Sequence, residues 1–151
     1  MEPALRKVLH FDAPRENYRC DAAVVWCFDN RLELTLRKLL QRLGIEHPDR
    51  IRVAGGAKCL ATPEPEWERD FVLDQIRKSM RLHSTARVLL TVHSDCGAYG
   101  GLAAFSGDAR AEIRHHLEEL NRAAACVRQN IAGVAVECYF IDFEGVLSTG
   151  C

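Results

Sequence analysis

The chain has 151 residues, 48% of them hydrophobic and 27% charged, with a formal net charge of -1. That length suits one domain, residues 1–151, around a single sizeable core, and the composition excludes a disordered chain. The near-zero charge, with lysines and arginines scattered along the sequence, excludes the basic footprint of a nucleic-acid binder.

The N-terminal stretch MEPALRKVLHFDAPRENYR lacks the apolar run of a secretory signal. No later segment has the roughly 18 apolar residues needed to span a bilayer, so the expectation is a cytoplasmic protein with no membrane partner. In that reducing setting the seven cysteines read as free thiols, metal ligands or catalytic groups ahead of a disulfide framework.

In chain order, AAVVWCF at 22–28 is a short apolar run and predicts a buried strand. Leu32, Leu36, Leu39, Leu40 and Leu43 then recur at helical spacing up to Gly44, a usual C-terminal stop. RIRVA at 50–54 predicts a second strand, followed by the flexible GGAK of 55–58. Thr62-Pro63 marks a helix start, with Trp67, Phe71, Val72, Ile76 and Met80 as its apolar face. RVLLTVH at 87–93 is the clearest buried strand, and the glycine-rich SDCGAYGG after it predicts a loop. Asp108 suits the cap of a helix through about 129, with Ile113, Leu117, Leu120 and Val127 inward. GVAVECYFI at 133–141 predicts a fourth strand, and the tail a turn and a short fifth.

Strands alternating with helices imply an α/β fold, a mostly parallel central sheet flanked by helices. Ligands of such folds collect at the carboxyl ends of strands, near the point where strand order reverses. Cys27 and His93 both fall at such ends. Beyond Cys27, Asp29 and Arg31 follow at alternate positions, which in extended chain share one side.

His93 and Cys96 stand three residues apart on one turn, within reach of a single metal ion. Two thiolates and an imidazole suit zinc, and three protein ligands leave a fourth position for water or substrate, as in catalytic sites. Each residue also has a plainer reading. Asp29 can cap the following helix, Arg31 can be a solvated first-turn residue, Gly97 can serve only its turn, and Cys27 can be a small buried hydrophobe. Cysteines 20, 59, 126, 138 and 151 read as packing or exposed residues, and His115 and His116 as surface residues of a charged helix.

Cys27-x-Asp29-x-Arg31 followed by His93-x-x-Cys96-Gly97-Ala98 resembles the paired signature of the β-class carbonic anhydrases. Arg52-Val53-Ala54-Gly55-Gly56 resembles that family's Arg-Asn-Ala-Gly-Asn stretch with both asparagines replaced, and VECYFIDFEGVLS is similar to its closing strand and turn. The resemblance runs in order from about residue 20 to 148.

It implies a zinc enzyme for the reversible hydration of CO2 to bicarbonate, with Cys27, His93 and Cys96 on the metal. Asp29 is implied to accept a hydrogen bond from the zinc-bound water, Arg31 to hold Asp29 off the metal, and Gly97 to offer its backbone N–H to substrate. A homodimer or larger homo-oligomer is also implied. Carbonyl sulfide and carbon disulfide hydrolases resemble the same family, so hydrolysis of a linear sulfur analogue is an alternative. A non-catalytic zinc protein whose site Asp29 closes is another.

Overall fold

Five consecutive apolar residues have no exposed face to offer, and Ala22–Trp26 accordingly forms β1, an interior strand of the sheet with every side chain buried. The computed structural model describes residue 1 and residues 3–151. β1 pairs in parallel with β2 (Pro48–Arg52) on one side and β3 (Arg87–His93) on the other, β3 with β4 (Ala135–Ile141), and β5 (Val146–Thr149) closes the far edge antiparallel. The order is β2-β1-β3-β4-β5.

Alternate strand residues feed two cores. Ala22, Val24, Trp26, Leu89, Tyr139 and Ile141 pack with Leu36, Leu39 and Leu40 of α1 (Glu33–Arg42) on one face. Ala23, Val25, Val88, Leu90, Val92 and Phe140 pack on the other against α2 (Lys58–Ala61), α3 (Trp67–His83) and α4 (Ala109–Asn130). Gly44 ends the α1 segment with a left-handed φ of +68°. Asp108 caps α4 as expected, its carboxylate accepting from the N–H groups of Arg110 and Ala111.

Several elements differ from the sequence-based expectation. β2 lies two residues earlier than RIRVA and has only Ile51 buried, because it is an edge strand. Proline is tolerated at its first position for the same reason. The 62–63 helix start is displaced to Trp67, with the short α2 preceding it, and Trp67 and Phe71 are exposed while Val72 and Ile76 carry the contact. α4 is rotated from the expected face. Glu112, His116 and Glu119 are buried together with Leu120 and Val127, whereas Leu117 is exposed, so His116 is no surface residue. Cys138 and Cys151 form a disulfide instead of remaining free. No helix among the described residues is long and apolar enough to cross a membrane.

Candidate metal centre

The chain runs from β1 to β2 on one side and from β3 to β4 on the other, so strand order reverses between β1 and β3. In open α/β sheets the carboxyl ends of the strands at such a point are where ligands collect. Cys27 follows β1 directly, His93 is the last residue of β3, and Cys96 lies three residues on. All three are buried, and one ligand atom from each lies within 4.8 Å of the other two.

The donors are prepared for a cation. His93 Nδ1 is 2.7 Å from the Ser94 carbonyl oxygen. That oxygen can only accept, so Nδ1 carries a proton, and in the neutral imidazole Nε2 then keeps the lone pair a metal would take. Among the described residues, the buried Nε2 has no hydrogen-bond partner, an expensive omission unless something else satisfies it. Cys27 and Cys96 are close yet unlinked. A hydrogen bond from Cys96 is the main cause holding the Cys27 thiol well below its usual range, helped by His93 and by the backbone N–H groups of Asp29 and Gly55. Cys96 is driven up in turn by Cys27 and by burial. The pair thus holds one negative charge readily and resists a second until a cation compensates it. Burial disfavours protonated His93, but its contacts with Cys27 and the Ser94 carbonyl outweigh that and leave it raised. These residues fit a bound zinc ion.

The alternation of Cys27, Asp29 and Arg31 breaks down as geometry, because the chain leaves the extended path at a 3-10 turn over Asn30–Leu32. Asp29 caps that turn, accepting the Arg31 N–H at 3.0 Å, so the capping role is real. Arg31 then folds back. Its Nε lies 3.1 Å from both oxygens of Asp29, and Nη2 lies 2.7 Å from Oδ2. These bonds are the main cause holding the Asp29 carboxyl at about 2, while Arg31 is raised by Asp29 first and Asp95 second.

Other residues place the donors. Arg52 donates to the Cys27 carbonyl and pairs with Glu33. Gly55 N–H points at Cys27 Sγ across 3.4 Å. Gly56 has a φ of +56°, and a Cβ there would meet the Thr91 carbonyl oxygen at 2.5 Å and the Cys27 nitrogen at 3.1 Å. Gly97 opens the turn after Cys96, and a Cβ there would meet no heavy atom within 4 Å. Glu112 accepts from Ser94 Oγ at 2.8 Å and from the Asp95 N–H at 2.7 Å. The sequence reading missed Asp95, Glu112 and Glu119. For Glu112 and Glu119 the signal was their helical spacing in line with Leu120 and Val127, where an apolar stripe was expected; Asp95 carried no such signal.

A family model described as "Putative carbonic anhydrase" matches residues 18–149. No curated protein matches the sequence significantly. Among solved structures, β-carbonic anhydrase isoform I of the protozoan Trichomonas vaginalis is similar with a TM-score of 0.59 at 14% identity, over 92% of this chain and 87% of that one. The carbonic anhydrase from Glaciozyma antarctica gives 0.57 at 17% identity, over 87% and 83%. The carbonic anhydrase from Streptococcus mutans gives 0.57 at 16% identity, over 89% and 84%. At such identities these likenesses establish the fold, and the sheet flanked by helices is the expected architecture.

Proposed function

This chain belongs to that carbonic anhydrase family, and on that premise we propose that it catalyses the reversible hydration of CO2 to bicarbonate. The observation that carries the reading is the convergence of Cys27, His93 and Cys96, three buried donors from two strand ends, within 4.8 Å of one another. Zinc, when bound, supplies the Lewis acidity that makes water nucleophilic near neutral pH.

Cys27 and Cys96 would hold the ion as thiolates and His93 through Nε2, a set of three ligands of the kind that catalytic zinc sites use. Asp29 Oδ2, 3.8 Å from His93 Nε2, accepts the nucleophile's proton in a hydrogen bond and selects against ligands that have none to offer. Arg31 supplies the rigid, permanently charged fork that turns Asp29 toward this task and keeps it from ligating the metal itself. The Gly97 N–H would serve the developing carboxylate, and the space beside Gly97 is open, since a Cβ there would meet no heavy atom within 4 Å. The exposed Leu5, Val8, Leu9 and Phe11 of the N-terminal segment favour a homo-oligomer in which a second copy covers them.

Stopped-flow CO2 hydration by the zinc-loaded protein, run beside carbonyl sulfide hydrolysis, tests the reading. Zinc-dependent CO2 turnover is expected. Turnover of the sulfur analogue alone would transfer the site to that substrate, and turnover of neither would leave a non-catalytic zinc site.

A further inference from the structure

We propose that Asp95 is a positioning residue that locks Arg31, and through it Asp29, to the loop carrying His93 and Cys96. The inference rests on the proposed function, which gives the aim of Asp29 its importance, while the clamp itself is a matter of this chain's own contacts.

Asp29 and Arg31 lie two residues apart on the loop after β1, and three guanidinium contacts run back to Asp29. A pair so local can swing as a unit. Nothing within it fixes Asp29 relative to the metal donors on the other loop. That link comes from two further bonds: Arg31 Nη1 donates to Asp95 Oδ2 at 3.0 Å, and Nη2 donates to the Asp95 carbonyl at 3.0 Å. Four of the five guanidinium N–H groups are thereby used. The acceptor sits between His93 and Cys96, so the bonds join the two halves of the centre.

Asp95 is itself immobilised. Its Oδ1 accepts the Leu102 N–H at 2.8 Å, and its own N–H donates to Glu112 Oε1 at 2.7 Å. The other oxygen of Glu112 takes Ser94 Oγ, so a carboxylate only 1% exposed holds two successive residues of the loop. Gly101 packs so closely that a Cβ there would lie 2.9 Å from Asp95 Oδ1. Asp95 also has a φ of +54°, a conformation that suits aspartate and asparagine better than most side chains.

Arg31 and Asp95 are both almost half exposed, and ion pairs of that kind contribute little to stability. Their effect is orientation: a planar guanidinium held along two edges cannot rotate. This distinction makes the role testable. In Asp95→Asn the side-chain oxygen still accepts from Leu102, the backbone still reaches Glu112, and the left-handed φ is tolerated. The amide NH2 that replaces Oδ2 opposes the Arg31 donor.

The experiment compares zinc-loaded wild type and Asp95→Asn by NMR of the 15N-labelled arginine Nε–H groups, assigning the Arg31 signal by its loss in Arg31→Lys, and by CO2 hydration. Expected are unchanged zinc content and melting temperature, faster exchange and rotation of the Arg31 group, and a fall in kcat of about tenfold or more. An unaltered Arg31 signal overturns the clamp whatever the rate. An altered signal with kcat within about twofold of wild type overturns the positioning role. A wild type that hydrates no CO2 defeats the proposed function alone, and the NMR comparison then decides the clamp.

Discussion

Asp29 Oδ2 stands 3.8 Å from His93 Nε2, a carboxylate at the rim of three buried metal donors. That closeness cuts both ways. In the proposed function the carboxylate receives a hydrogen bond from the nucleophile, and in the rival reading it ligates the metal and shuts the site. Which of the two happens depends on the hold that Arg31 keeps on it.

Replacing Asp29 by alanine removes the proposed hydrogen-bond acceptor and leaves Cys27, His93 and Cys96 intact. The expected outcome is full zinc content with kcat for CO2 hydration down by about 100-fold or more. A rate equal to wild type would reduce Asp29 to the cap of the 3-10 turn.

Arg31→Lys keeps the charge but replaces a fork by a point, and one ammonium cannot serve Asp29 and Asp95 along two edges. Turnover is expected to fall by roughly 10- to 100-fold with zinc retained. Wild-type kinetics in this variant would show that charge alone suffices.

Gly56 links the site to the fold. Alanine there combines a left-handed φ of +56° with a Cβ 2.5 Å from the Thr91 carbonyl oxygen, and the backbone of β3 cannot yield easily. A loss of about 2–4 kcal/mol in unfolding free energy is expected from overpacking and strain together. Chemical denaturation of Gly56→Ala measures it, and a loss below about 0.5 kcal/mol would contradict the packing described.

A second polar node lies at the opposite end of the sheet, where Tyr18 donates to Asp49 at 2.7 Å and Asp49 also binds Ser79 and His83. The bond to Asp49, with burial next, pushes the Tyr18 phenol up from 10.0 to about 12. An acid with a raised folded value stabilises the fold fully below its unfolded value, and loses that contribution as pH rises through the folded one. The difference in melting temperature between wild type and Tyr18→Phe should therefore stay constant up to pH 10 and close between 10 and 12. A difference that persists unchanged through pH 12 would contradict the bond.

Much of the centre was legible because its residues carry distinctive chemistry at strand ends. Cys27, His93 and Cys96 were expected together, and they converge because β1 and β3 are neighbours in the sheet. Arg31 beside Asp29 was implied by the family resemblance, whereas the same-side alternation fails: the extended path ends at Asn30, and the contact depends on the side chain folding back. Asp95 was hidden in plain view between two ligands, since its value lies in a bond spanning 64 residues that no local pattern encodes. Glu112 and Glu119 were passed over because carboxylates count against a buried face. They are inside because loop and side-chain donors meet them, Ser94 and Asp95 at Glu112, Thr62 and Tyr99 at Glu119. β2 was misjudged for want of apolar signal, as an edge strand with one buried residue carries little. The Cys138–Cys151 link follows from the return of β5 alongside β4, which spacing alone does not announce.

The central claim is that Cys27, His93 and Cys96 together hold one zinc ion, and metal analysis of the purified protein beside Cys27→Ser, His93→Ala and Cys96→Ser addresses it most directly. The account requires one zinc per wild-type chain and loss of tight binding in each variant, with the fold retained by circular dichroism. A wild type without stoichiometric zinc, or variants that keep it undiminished, would contradict the claim.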